Sequence, residues 1–325
     1  MQAFVTGGSG YLGRNLIRAL VARGDHVRAL ARSEAAAMAV RALGAEPVRA
    51  DLLDQVGLQV GMEGCAVVFH AAATVEEWGP RALFERINVE GTRSVLAAAR
   101  AAGVAGFVHV GTEAVFADGG RMAGLDEHSA IPAKPLPRYP ATKAAAERLV
   151  RAANAPGFAT VVCRPRLIWG GDDTSVLPKM IEAVRKGQWA WVDGGRYRTN
   201  TCHVDNVVEG LLLAAERGRP GAAYFLSDGE PVEFRAFMSA QFATQGMDAG
   251  DKSLPRPLVK LLATLCEWAW EYLPLKGAPP LTRMAIALGT QEVTVSDALA
   301  RRELGYVGRT SREAGLAAMK KARSV

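Results

Sequence analysis

Cysteine is scarce in this chain and widely spread. Cys65, Cys163, Cys202 and Cys266 show neither the close spacing of a metal-ligand set nor the density of a disulfide scaffold. Lying mostly in apolar runs, they read as buried free thiols in a reducing compartment, and no metal centre is expected. The chain does not open on a basic segment followed by an apolar core of the secretory type. No uninterrupted apolar run reaches the roughly 18 residues of a spanning helix, and no repeat or low-complexity tract is visible. The expected location is therefore the cytoplasm. One sign of charge is in modest surplus, with 39 Lys and Arg against 33 Asp and Glu, but the cations are scattered rather than interleaved with aromatics along one stretch. A nucleic-acid partner is not expected. A surplus of +6 would instead favour an anionic cofactor or a membrane surface.

What is present starts with a turn. Thr6-Gly7-Gly8-Ser9-Gly10-Tyr11-Leu12-Gly13 follows the apolar strand residues Ala3, Phe4 and Val5 and precedes the helical stripe Leu16, Ile17 and Leu20. Strand, glycine turn and helix in that order let backbone amides approach a pyrophosphate at the positive end of a helix, while Gly13 lets the helix pack close to the sheet. The second strand, His26 to Ala31, ends where such a site carries either an acid for a ribose 2'-hydroxyl or a base for a 2'-phosphate. Ala31 stands in the acid's place and Arg32-Ser33 follow. NADP(H) is therefore the expected cofactor, with NAD(H) as the second choice.

Strands and helices then alternate. Strands are read at Pro47 to Leu52, Val67 to Ala73 and Gly106 to Val110, with a helix from about Phe84 to Ala102 between the last two. This is the pattern of an α/β chain with a doubly wound parallel sheet covered on both faces, a Rossmann fold. With 325 residues, 49% of them apolar, the chain can also bury a second, smaller core. Beyond the fifth strand stand Thr112, whose hydroxyl can hold a substrate oxygen, and Tyr139-Pro140-Ala141-Thr142-Lys143 at the start of a helix. Four-residue spacing puts the phenol and the ammonium on one helix face, where the lysine is expected to lower the tyrosine pKa toward the working range of an acid or base.

These segments, with Arg164 to Gly170, resemble the extended short-chain dehydrogenase/reductase superfamily over essentially the whole chain. Ala278 to Arg283 and Ala298 to Tyr306 resemble its 3β-hydroxysteroid dehydrogenase-like branch, which includes bacterial 2-alkyl-3-oxoalkanoate reductases and sterol dehydrogenases. The resemblance implies a catalytic set of Tyr139, Lys143 and Thr112. It also implies cofactor contacts from Gly7, Ser9, Gly10, Tyr11 and Leu12, from Asp51 and Leu52 at the adenine, from Ala71 and Ala73, and from Pro165 near the nicotinamide, besides Arg32, Tyr139 and Lys143. Thr112 replaces the commoner serine, and Phe116 stands where tyrosine is frequent. His203 corresponds to a packing element in relatives.

The expected organisation is a Rossmann core of residues 1–165 and 197–226 and a smaller, mostly helical substrate lobe of 166–196 and 227–325. Within the lobe, a helix is expected over Val176 to Lys186, a strand over Gln188 to Val192 and an apolar stretch over 254–275. Lys260, Glu267 and Glu271 interrupt that stretch and Pro255, Pro257 and Pro274 bracket it, so it does not suit a bilayer span. Core packing, a lid over a lipophilic substrate and a peripheral membrane contact all remain open for it. The expected function is an NAD(P)-dependent oxidoreductase interconverting a secondary alcohol and a ketone on a lipophilic small molecule of the 3β-hydroxysteroid or 2-alkyl-3-oxo acid type. Hydride transfer is paired there with Tyr139 as acid/base. A nucleotide-sugar epimerase or dehydratase with tightly held NAD is the alternative, and a non-catalytic dinucleotide-binding regulator the second. A homodimer through the two long helices beside the active site is usual among the resembling proteins.

Overall fold

The computed structural model describes residues 1–323. Short runs of Val, Phe and Ala bury the central strands of a seven-stranded sheet on both faces, as a sheet covered on two sides requires, while the edge strand Glu46–Val48 stays partly exposed. The seven strands are β1 (Gln2–Thr6), β2 (His26–Leu30), β3 (Glu46–Val48), β4 (Val67–His70), β5 (Gly106–Val110), β6 (Ala159–Pro165) and β7 (Ala223–Leu226). All pair in parallel, in the order β7-β6-β5-β4-β1-β2-β3. The strand order reverses between β1 and β4, the crevice where doubly wound sheets bind ligands.

Helices cover both faces. α1 (Tyr11–Ala22) and α2 (Glu34–Arg41) precede α3 (Gln55–Met62), and α4 (Arg81–Phe84) passes through a π turn at Glu85–Glu90 into α5 (Gly91–Ala101). The helix expected from Phe84 to Ala102 is thus broken by one wide turn. α6 (Tyr139–Ala152), α7 (Leu177–Arg185) and α8 (Val204–Arg217) follow, then α9 (Phe234–Thr244), α10 (Arg256–Tyr272), α11 (Arg283–Gly289), α12 (Ala298–Leu304) and α13 (Arg312–Arg323). One core layer joins α1, α8 and α12 to the sheet through Leu16, Leu211 and Leu304. The other seats α3, α5 and α6 through Leu58, Val95 and Val150.

The smaller part is built around a four-stranded sheet of Val232–Glu233, Arg198–Thr199, Val293–Val295 and Met122–Leu125. Residues 122–125 and 198–199 therefore sit in the small sheet, while Ala300, Leu304 and Tyr306 pack against the core sheet. The last two positions of the expected 227–325 lobe lie outside the described residues. Of the strand expected at Gln188 to Val192 only Trp191–Val192 pairs, with Ser253–Leu254, and Trp189 instead stacks edge-on against Trp191 and Phe242. α10 is not a core helix: it buries Val259, Ala263 and Glu267 and leaves most of its large apolar side chains in solvent. No helix among the described residues is long and apolar enough to cross a membrane.

Candidate active site

The turn after β1 is a close-fitting backbone cradle. Gly7 has φ +72°, its carbonyl accepts from the Gly10 amide at 3.0 Å, and a Cβ added to it would meet the Ala72 amide nitrogen at 2.8 Å. A Cβ on Gly13 would sit 2.1 Å from the Gly7 carbonyl oxygen. Helix α1 starts at Tyr11 behind Gly10, with no side-chain cap and no acid in its first turn, so its leading amides are free for an anion. Ser9 and Leu12 are half-buried on this turn, while the Tyr11 ring is buried and its hydroxyl has no hydrogen-bond partner among the described residues. Burial, with Asp173, Asp205 and Asp172 nearby, pushes that phenol's pKa well up.

The other expected contacts gather along the same strand edge. Arg32 lies just beyond β2, exposed and without an ion pair or hydrogen bond among the described residues. Ser33 next to it caps α2 by accepting from the Ala36 amide at 3.2 Å. Asp51 is half-buried and accepts from the Leu53 amide at 3.2 Å, and Leu52 is buried. Ala71 and Ala73 lie on the loop after β4, which Thr6 ties down by accepting from the Ala72 amide at 3.2 Å. Pro165 ends β6. This uncapped, acid-free cradle fits the diphosphate of a dinucleotide, and the exposed Arg32 stands where a ribose substituent would be read.

Beside the cradle, α6 begins with Tyr139 and carries Lys143 one turn on. Lys143 is buried at 3% exposure, and its ammonium donates to the Val110 carbonyl at 2.7 Å and to His109 Nε2 at 3.2 Å. Desolvation lowers its pKa to about 8, against an upward pull from the Glu147 carboxylate. The Thr112 hydroxyl donates to Glu113 Oε2 at 2.9 Å and accepts from the Ala114 amide, and Arg166 holds the other Glu113 oxygen at 2.9 Å. The lowering of the phenol by Lys143 expected from their spacing is not what the fold produces. Burial first, then the Glu113 charge, push the Tyr139 pKa well above its ordinary value, with hydrogen bonding from Thr112 pulling it partly back. The ammonium is turned to the end of β5 instead.

Several neighbours escaped the sequence reading. His70 and His109 face each other in register on β4 and β5 with ring centres 5.3 Å apart, and desolvation followed by the Lys143 charge keeps both neutral. His70 bridges Thr6 and Thr92 at 2.8 and 2.9 Å, tying the cradle strand to α5. Asn88, in the π turn, clamps Thr74 with both amide groups and donates to Thr142 at 3.0 Å, joining the β4 loop to α6. Arg138, with φ +68°, holds a backbone conformation that costs a side-chain-bearing residue about 1–3 kcal/mol. It is fixed over the Trp78 ring at 3.5 Å, by the Gly79 carbonyl at 2.9 Å and by Glu271 of α10 at 2.6 Å. The only sequence signal was two histidines near the ends of two apolar strands. His203 caps α8, accepting from the Asp205 amide at 3.2 Å, and stands edge-on to Trp169.

The fold thus sets a phenol-bearing helix against a dinucleotide-type cradle, and the chain's residues 4–256 match the model of the 3-beta hydroxysteroid dehydrogenase/isomerase family. The chain belongs to that family. It is 53% identical over 322 residues to 4-hydroxy-2-methyl-3-oxo-4-farnesyl-3,4-dihydroquinoline-1-oxide ketoreductase of Stigmatella aurantiaca, covering 99% of this chain and 96% of the relative. It is 37% identical to 2-alkyl-3-oxoalkanoate reductase of Stenotrophomonas maltophilia, covering 98% of each. Among solved structures, gox2253 aligns at TM-score 0.79 and 27% identity over 99% of this chain and 98% of its own. The UDP-glucuronic acid 4-epimerase of Bacillus cereus with NAD aligns at TM-score 0.75 over 99% and 98%, and at 18% identity this likeness shows the fold alone. As a member of the 3-beta hydroxysteroid dehydrogenase/isomerase family, the chain is an oxidoreductase of the dehydrogenase/reductase type.

Proposed function

We propose that this oxidoreductase reduces a keto group on a small molecule with a large apolar arm, drawing hydride from a nicotinamide dinucleotide and preferring NADP(H). The observation that carries the reading is the Tyr139 phenol, held protonated beside Thr112 at the strand edge that also bears the glycine cradle. The two curated relatives described above, named for a farnesylated ketone and for 2-alkyl-3-oxoalkanoates, support the substrate class.

When bound, the dinucleotide supplies the hydride. Everything else is done by the chain. The amides at the start of α1 hold the diphosphate, and Ala71 and Ala73 leave a flat space beside it. Thr112 orients the substrate oxygen, and Tyr139, whose raised pKa keeps its proton throughout the working range, gives that proton to the oxygen as negative charge develops. Lys143, anchored on Val110 and His109, holds the ribose side of the site.

The test follows nicotinamide absorbance with purified protein, NADPH or NADH, and ketones bearing alkyl or prenyl arms. NADPH consumption in preference to NADH is the expected result. Arg32→Asp then lowers NADPH affinity by about 10–100-fold and leaves NADH affinity nearly unchanged, since a charge-assisted hydrogen bond contributes about 1.5–3 kcal/mol. An unchanged ratio of dissociation constants removes Arg32 as the phosphate reader. No consumption with either cofactor, in protein that is isolated with NAD bound, favours the epimerase alternative.

The pH profile provides a second check. Lys143 is charged below about 8 and neutral above it, whereas the Tyr139 phenol loses its proton only far higher. In the reducing direction kcat/KM is therefore flat below about pH 8 and falls above it as the ammonium is lost. A profile that stays level to about pH 10, where an unperturbed tyrosine would titrate, contradicts the role given to Lys143.

A further inference from the structure

Helix α10 has two faces of opposite character. Inward, Val259 and Ala263 pack with Val192 and Ile286. Outward, Leu258, Leu261, Leu262, Leu265, Trp268 and Tyr272 recur at three- and four-residue intervals and are exposed by between 36% for Leu262 and 71% for Tyr272. A solvated helix of a globular protein carries charge on that side, so this stripe calls for a partner.

The charges on and around the helix say which partner. Both of its acids are already engaged by cations: the buried Glu267 accepts from the Arg283 amide and guanidinium at 2.7 and 2.6 Å, and the more exposed Glu271 holds Arg138 and Arg81 at 2.6 and 3.1 Å. Lys260 and Lys276 are exposed and have no acidic partner among the described residues. At the amino-terminal end of the helix an open hollow of about 400 Å³ is lined by Arg121, Arg256 and Lys260 and by Gln291, with Glu292 as its one acid. Glu292 sits 3.7 Å from Arg121 and offsets only one of the three cations.

We propose that α10 docks this enzyme on an anionic lipid surface, its leucine stripe lying among the acyl chains and the Arg121–Arg256–Lys260 hollow receiving a lipid headgroup phosphate. The geometry is that of a helix lying in the interface: 17 residues, a continuous apolar side, cations at its edge, and the amphipathic rings of Trp268 and Tyr272 on the exposed side. A second copy of the chain fits the stripe less well. A single helix face of about 26 Å by 10 Å offers roughly 300 Å², against about 800 Å² per partner in a stable interface, and two-fold pairing would bring unpaired lysines together. This inference goes beyond the proposed reaction, and adds a route by which a lipophilic substrate reaches the Tyr139 turn, to which Glu271 and Arg138 tie the helix.

The experiment is co-sedimentation of the full chain with vesicles of phosphatidylcholine alone and of phosphatidylcholine with phosphatidylglycerol, read beside light scattering and turnover of a water-soluble ketone. Binding to the anionic vesicles, weakened by salt, is the expected result. Leu261→Gln/Leu265→Gln/Trp268→Gln lowers the partition constant by about a hundredfold, and Lys260→Glu by about tenfold, with ketone turnover and melting temperature retained in both. Because all four side chains are exposed, loss of binding in a folded, active variant is attributable to the surface. Wild-type protein that stays in the supernatant with anionic vesicles overturns the proposal, as does a triple variant that binds like the wild type. A wild-type dimer that the triple variant converts to monomer assigns the stripe to a second copy instead.

Discussion

Tyr139→Phe lowers kcat for carbonyl reduction by about 10²–10⁴-fold while the dissociation constant of the dinucleotide changes by no more than about twofold. The size follows from what is removed. The substitution deletes one hydroxyl, leaves the ring in its half-buried seat at the start of α6, and does not touch Lys143, which is anchored on Val110 and His109 rather than on the phenol. Binding groups are therefore intact, and the loss falls on the proton delivered to the substrate oxygen. Single-turnover absorbance decay measures kcat, and quenching of protein fluorescence measures cofactor affinity. Retention of more than about a tenth of the wild-type rate would assign the proton to another donor, and Thr112 is the nearest candidate. A parallel loss of cofactor affinity would place Tyr139 among the binding groups.

Glu147→Ala destabilises the protein by about 3–5 kcal/mol. Arg164 and Glu147 are almost wholly buried, at 1% and 0% side-chain exposure, and meet in a two-pronged ion pair whose Nε to Oε2 distance is 3.0 Å. The guanidinium also lies 5.0 Å from the Phe116 ring and 5.2 Å from the Phe225 ring. Removing the carboxylate takes away the guanidinium's hydrogen-bonded counterion and leaves a desolvated cation beside two aromatic faces and the weaker influence of Glu127, so the cost is dominated by the charge that loses its partner. Urea denaturation gives the magnitude. Glu147→Leu/Arg164→Met supplies the control: it removes both charges together and costs far less than the single change. The pair joins β6 to α6, the helix that carries Tyr139 and Lys143, and the Glu147 carboxylate also supports the charge on Lys143. In the double variant the alkaline fall in kcat/KM accordingly moves to lower pH.

Those two results would test different parts of the molecule, one legible in the sequence and one not. Tyr139 and Lys143 lie four residues apart on one helix, and the glycine turn occupies eight consecutive positions, so spacing along the chain was enough to find them. Arg164 was visible only as part of a motif, with nothing to say that Glu147 would meet it. The same holds for Glu113 with Arg166, 53 positions apart, and for Arg138 with Glu271, 133 apart. The apolar stretch at 254–275 was legible as unusual, yet core packing could be set aside as its main role only once burial showed which of its side chains face outward.

By itself the sequence determined the alternation of strands and helices through the fifth strand, the cradle after the first strand and the placing of the phenol and ammonium on one helix face. Each of these depends on short-range sterics: glycine backbone freedom, helical periodicity, and runs of apolar residues that form buried strands. Only the tertiary structure decided the protonation of those groups, because a pKa depends on desolvation and on charges brought from distant positions. Folding turned Lys143 toward β5, set Glu113 against the phenol so that its pKa rises, and left the leucine side of α10 uncovered.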